Sequence, residues 1–121
     1  MDTAYIASQW RLSLARLLAE QYATFPAAHA IFAGGSTARW QADRFSDVEL
    51  AVVWTAAPSE QDRAAVVSRL NGDLHRLYPY DDQEKIWEDL FFVGRNQNDE
   101  PKSGCQVEIS HYLLPTIAAA V

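Results

Sequence analysis

Apolar residues recur at helical spacing through the first part of the chain: Ile6, Trp10, Leu14, Leu17 and Leu18, with Gln9, Arg11, Arg16 and Glu20 mostly off that stripe. The spacing predicts an amphipathic helix over 3–23, its stripe facing a core and Phe25-Pro26 closing it. Ala30-Ile31-Phe32-Ala33 is a short apolar run ending in Gly34-Gly35, the pattern of a buried strand entering a tight turn. Ser36 to Trp40 suits a short helix with Ser36 near its N-cap. Asp47 to Trp54 alternates as a strand does, placing Asp47, Glu49 and Ala51 on one face. Ser59 followed by Asp62 is a capping signature, and the helix it opens is expected to run to about Leu77, burying Ala65, Val66, Leu70, Leu74 and Leu77. Lys85–Val93 and Gln106–Leu113 read as two further strands, joined by a polar, turn-rich hairpin loop over 94–104. Pro115 then begins a helix-compatible run.

These elements predict one α/β (α+β) domain over 1–121: a mixed, mostly antiparallel sheet of about four or five strands with helices packed on one face. The length suits a single domain, and an apolar content of 49% supplies a core. The net charge is −6, from 10 basic and 16 acidic residues with no Lys/Arg cluster. That balance argues against a phosphate-neutralising grip on DNA or RNA and favours a small-molecule or protein partner. The single cysteine, Cys105, excludes an intramolecular disulfide framework and a multi-cysteine zinc site, and reads as a small buried hydrophobe on a strand. The first residues lack a signal-peptide pattern, and no apolar run is long enough for a bilayer; a cytoplasmic setting without a membrane is expected.

One segment carries chemistry. A Gly34-Gly35-Ser36 turn between a strand and a helix offers backbone N–H groups and a hydroxyl at a positive helix end, an anion site. Asp47 and Glu49, at i and i+2 on a strand, point the same way and repel one another, a conflict that a divalent cation relieves. A phosphate site beside a cation site is what phosphoryl chemistry needs.

The same residues resemble the signature of the polymerase-β-type nucleotidyltransferases, and more narrowly their aminoglycoside and minimal branches. The signature is a hydrophobic strand, Gly35-Ser36, ten residues, then Asp47-Val48-Glu49-Leu50, with Ala38-Arg39 and Ser46 also matching. The family's third carboxylate stands between hydrophobic residues on a later strand, a setting that Val107-Glu108-Ile109 fits. The resemblance is tight over 30–54 and loose to about 113. It implies Asp47, Glu49 and Glu108 as catalytic ligands of one or two Mg²⁺ ions. It also implies Gly34, Gly35, Ser36 and Arg39 as nucleotide-binding, with an NTP, ATP by resemblance, as donor. Two positions depart from the pattern: Trp40 stands where Gly is usual, and Glu49 where Asp is commoner. Neither removes a ligand.

Each position also has a plainer reading. Asp47 and Glu49 suit solvent-facing polar sites on an edge strand, Glu108 a polar site on a half-exposed strand, Ser36 a cap, Arg39 a surface ion pair, and Trp40 a core anchor rather than a base-stacking ring. Glu88 and Asp89 are rival carboxylates, read as strand-entry residues. His111 is expected on Glu108's face, as a ring packed beside the site rather than as a base. His29 and His75 look like surface residues. Two functions follow: a transferase that nucleotidylates a small molecule or protein, or a catalytically incomplete nucleotide-binding module such as one half of a toxin–antitoxin pair. A C-terminal helical domain or a partner protein is expected to supply the acceptor pocket, and a homodimer is compatible with this reading.

Overall fold

A computed structural model describes residues 3–34, 48–94 and 104–120. The chain runs α1 (Thr3–Tyr22), β1 (Ala28–Gly34), β2 (Val48–Trp54), α2 (Glu60–Arg69), β3 (Asp73–Leu77), β4 (Trp87–Val93), β5 (Cys105–Leu113) and α3 (Leu114–Ala120). The strands form one five-stranded sheet in the order β1-β2-β5-β4-β3. β2 and β5 pair in parallel and every other neighbour is antiparallel, so the sheet is mixed and mostly antiparallel, as the pattern predicts. β5, late in sequence, is inserted at the centre between β2 and β4.

Alternation along the strands divides the sheet into a covered and an open face. Val48, Leu50, Val52 and Trp54 of β2, Val107 and Ile109 of β5 and Phe91 of β4 are buried in one cluster with Leu14, Leu18 and Tyr22 of α1 and Val66 and Val67 of α2. Burying side chains of this kind contributes about 1.5–3 kcal/mol each, which is what fastens the two helices to the sheet. Cys105 belongs to the same cluster, as its position on an apolar strand implies. Among the described residues no helix is long and apolar enough to cross a membrane.

Four expectations change. The α1 stripe is rotated: Leu14, Ala15, Leu18 and Tyr22 turn inward together with Arg11, while Trp10 and Leu17 remain 47% and 41% exposed. β1 is an edge strand and not a buried one, with Phe32 57% exposed. The helix opened by Ser59, whose hydroxyl accepts from the Asp62 N–H at 3.0 Å, ends at Arg69 instead of Leu77. Its stop is Asn71-Gly72: Asn71 is left-handed at φ 51, and the Gly72 N–H donates to the Val67 carbonyl at 2.8 Å. A Cβ on Gly72 would lie 3.0 Å from Val67 Cγ1 and 3.1 Å from the Val67 carbonyl, so a larger residue here would have to push Val67 back by a few tenths of an ångström. Leu74 and Leu77 therefore belong to edge strand β3, and Leu74 is exposed.

The fourth change concerns polar residues in the core. Asp89 is not a strand-entry residue but is buried on the covered face of β4, where it pairs with Arg63 of α2. Arg63 Nε donates to Asp89 Oδ1 at 2.8 Å, and its Nη2 donates to the carbonyls of Tyr78 and Glu88 at 2.8 and 3.0 Å. His111, three residues beyond Glu108, lies on the opposite face from it, fully buried, with Nε2 2.6 Å from Asp89 Oδ2. The Trp54 indole N–H donates to His111 Nδ1 at 2.9 Å. Because an indole only donates, Nδ1 must accept, which leaves the His111 proton on Nε2, facing Asp89. This chain of contacts joins α2, β4, β5 and β2.

The Tyr22 ring meets Trp54 and His111 edge-on, yet its buried hydroxyl has no hydrogen-bond partner among the described residues. Burial, reinforced by the Asp89 carboxylate and opposed by Arg63, holds that hydroxyl well above its usual titration range. An unpaired buried hydroxyl is a cost. Tyr22→Phe is therefore expected to keep or raise stability, by about 1 kcal/mol in a urea titration. A loss of that size instead would show that the hydroxyl is bonded.

Candidate functional site

The open face is built from residues that alternation turns away from the helices. β2 places Glu49 outward between buried Val48 and Leu50, and β5 places Glu108 outward between buried Val107 and Ile109. Each is a charged residue in a strand of β-branched and aliphatic neighbours, whose burial fixes which way the carboxylate points. Glu49 and Glu108 are register partners across the parallel β2–β5 pair, so the two carboxylates stand side by side on strands about 4.8 Å apart. Gly34, the last residue of β1, is the partner of Glu49 on the other side. One row across the sheet thus reads Gly34, Glu49, Glu108, Leu90. β1 therefore ends beside the two carboxylates.

The next row along the strands reads Phe32, Ala51, Ser110, Glu88. It brings Glu88, set aside as a strand-entry residue, onto the open face near Glu108. Two cavities flank the carboxylate row. One, of about 240 Å³, is lined by Tyr78, Glu88, Leu90, Glu108 and Ser110 among others; the second, of about 220 Å³, by Phe32, Glu49, Ala51, Ser110 and Tyr112 among others. The Gln106 amide donates to Glu108 Oε1 at 3.0 Å, which steadies that side chain.

Of the residues singled out in the sequence, Gly34, Glu49 and Glu108 come together in one row. Gly35, Ser36, Arg39, Trp40 and Asp47 lie outside the described residues. Among the described residues no group of three or more His, Cys, Asp or Glu side chains could hold a metal ion. Glu49 and Glu108 do fit two ligands of one: both offer hard carboxylate oxygen, the donor that Mg²⁺ prefers, and adjacent like charges on an exposed strand pair are destabilising without a cation. Asp47, two residues before Glu49 in the sequence, is a third carboxylate of the same chemistry. Sequence reasoning missed the buried Arg63–Asp89–His111–Trp54 contacts behind the site. Their one local signal is parity: an odd step from Glu108 to His111 puts the two on opposite faces.

No protein-family profile matches the sequence, and no curated protein does. The fold does have matches among solved structures. The chain is similar to Cid1 poly(U) polymerase bound to MgGTP, at 15% identity and a TM-score of 0.54, over 92% of this chain and 33% of that one. A second Cid1 structure, described for its RNA terminal uridylyl transferase activity, aligns at 16% identity and a TM-score of 0.57, over 92% and 31%. A Cid1 mutant bound to MgATP aligns at 18% identity and a TM-score of 0.53, over 92% and 33%. The chain spans about a third of the length of these structures. The architecture is therefore a nucleotidyltransferase fold, the one the Gly-Ser and Asp-x-Glu pattern implies.

Proposed function

We propose that this chain is a nucleotidyltransferase catalytic domain of the polymerase-β type, which transfers a nucleotide from a Mg²⁺-bound NTP, by resemblance ATP, to a hydroxyl of a small molecule or protein. The observation that carries the proposal is the row Gly34–Glu49–Glu108, which sets the end of β1 and two carboxylates next to one another on the open face of this fold. Gly35 and Ser36, next in sequence after β1, would receive the triphosphate through backbone N–H groups and the Ser36 hydroxyl, and Arg39 would meet its outer phosphates. Asp47, Glu49 and Glu108 would hold Mg²⁺, which when bound neutralises charge on the phosphates during displacement. The acceptor hydroxyl oxygen attacks the α-phosphorus and its proton passes to solvent, the bond to the β-phosphate breaks, and pyrophosphate leaves. The chain's residues orient the two partners, and orientation of this kind accounts for several kcal/mol of the barrier. A helical domain or partner protein facing the open sheet would complete the grip on the acceptor.

Calorimetry with ATP tests the site. Binding is expected to require Mg²⁺ or Mn²⁺, and Asp47→Asn combined with Glu49→Gln is expected to abolish that requirement while the protein stays folded. A double variant that binds metal–ATP as the parent does would refute the assignment. Metal-dependent binding without any pyrophosphate release would favour the incomplete, binding-only reading.

A further inference from the structure

Phe32 is the most exposed of the large apolar side chains in the described sheet, 57% open to solvent on edge strand β1. A lone exposed apolar residue needs no explanation. This one has surroundings. It lines the 220 Å³ cavity together with Tyr112, Ala51, Ser110 and Glu49, so an aromatic surface and a member of the carboxylate row share one cleft. The register accounts for its shape. Phe32 stands beside Ala51, and Ala51 beside Ser110, so two small side chains form a low floor. Tyr112, the next outward residue of β5, supplies a second ring at the end of that floor.

The cleft is small for a whole ligand, since sites that enclose a drug-sized molecule run from about 300 to 1,000 Å³. It suits one flat ring attached to something held elsewhere. The carboxylate row is one same-face step away along the strands, roughly 7 Å. That step is comparable to the reach of a sugar between a phosphate and its base. Among the described residues no charged group but Glu49 lines the cleft, which offers stacking surface rather than a second anion site.

We infer that the Phe32–Tyr112 cleft receives the nucleobase of the donor nucleotide, by stacking on Phe32. The inference rests on the nucleotidyltransferase reading above and adds the base subsite to it. Stacking needs only a π-face, so the subsite holds purines and pyrimidines alike and sets affinity more than base choice.

The test compares Mg²⁺–ATP with Mg²⁺–tripolyphosphate, which has the phosphates and no base, by calorimetry on the parent, Phe32→Ala and Phe32→Trp. Phe32→Ala is expected to weaken ATP binding by about tenfold, within the range of one base–aromatic stack, and to leave tripolyphosphate binding unchanged. Phe32→Trp is expected to restore ATP affinity to the parental value or above. Equal ATP affinity in parent and Phe32→Ala, or an equal loss for both ligands, overturns the inference while leaving the carboxylate site in place. A parent that binds neither ligand overturns the nucleotidyltransferase reading and the base subsite with it.

Discussion

Glu108→Gln is expected to lower nucleotide transfer by about three orders of magnitude or more, read as pyrophosphate release from Mg²⁺–NTP, while barely moving the thermal midpoint. The two halves of this expectation have separate causes. Glu108 is exposed and contributes no core contact, and glutamine keeps its shape and its ability to accept from Gln106. Removing its charge also relieves repulsion with Glu49, its register partner, so stability holds or rises slightly. On the proposed reading the loss falls on a charge that would hold the metal, and that kind of stabilisation is worth several kcal/mol, each 1.36 kcal/mol being tenfold in rate. Glu88→Gln, one row away on the same face, is the control and is expected to keep most of the turnover. A Glu108→Gln protein that works within a few-fold of the parent would remove Glu108 from the site.

Asp89→Ala is expected to be the most damaging single change to the fold. It leaves the Arg63 guanidinium without its carboxylate and the His111 Nε2 proton without an acceptor, both at positions shielded from water. Breaking one partner of a buried pair costs about 3–5 kcal/mol, against a total stability of about 5–15 kcal/mol for a domain. A urea titration should show the midpoint falling by a large fraction of its value with the slope kept, or a chain largely unfolded without denaturant. Glu88→Ala, the exposed neighbour on the same strand, should stay within about 0.5 kcal/mol of the parent. If Asp89→Ala loses less than 1 kcal/mol, the Arg63–Asp89–His111 contacts are not what holds α2 to the sheet.

The contrast between these two carboxylates shows what a single sequence discloses. Glu108 was legible because its evidence is local: a charged residue between Val107 and Ile109 on an alternating strand has to face outward. The Ser59 cap, strands β2 and β5 and the burial of Cys105 were legible for the same reason. Asp89 was not, because what buries it lies 22 and 26 residues away, at His111 and Arg63, and the Trp54–His111 bond spans 57. No short-range pattern records such partners. The helix drawn through to Leu77 failed differently. Leu70, Leu74 and Leu77 keep helical spacing across a boundary that Asn71-Gly72 sets, and the turn chemistry overrides the period. β3 was lost with it.

The central place of β5 has a consequence for the order of folding. Glu49 and Glu108 are 59 residues apart in sequence (108 − 49), and they become neighbours only when β5 docks between β2 and β4. Until then β2 has β1 as its sole sheet partner, and β3–β4 is a separate hairpin. Closing so long a loop precedes any gain from the parallel pairing, so this step is slow relative to the local hairpin and helices. The carboxylate pair is thus absent from a partly folded chain. On the proposed reading cation affinity would arise together with the completed sheet and so report its topology, and a bound ion would in turn draw the folding equilibrium toward that final docked state.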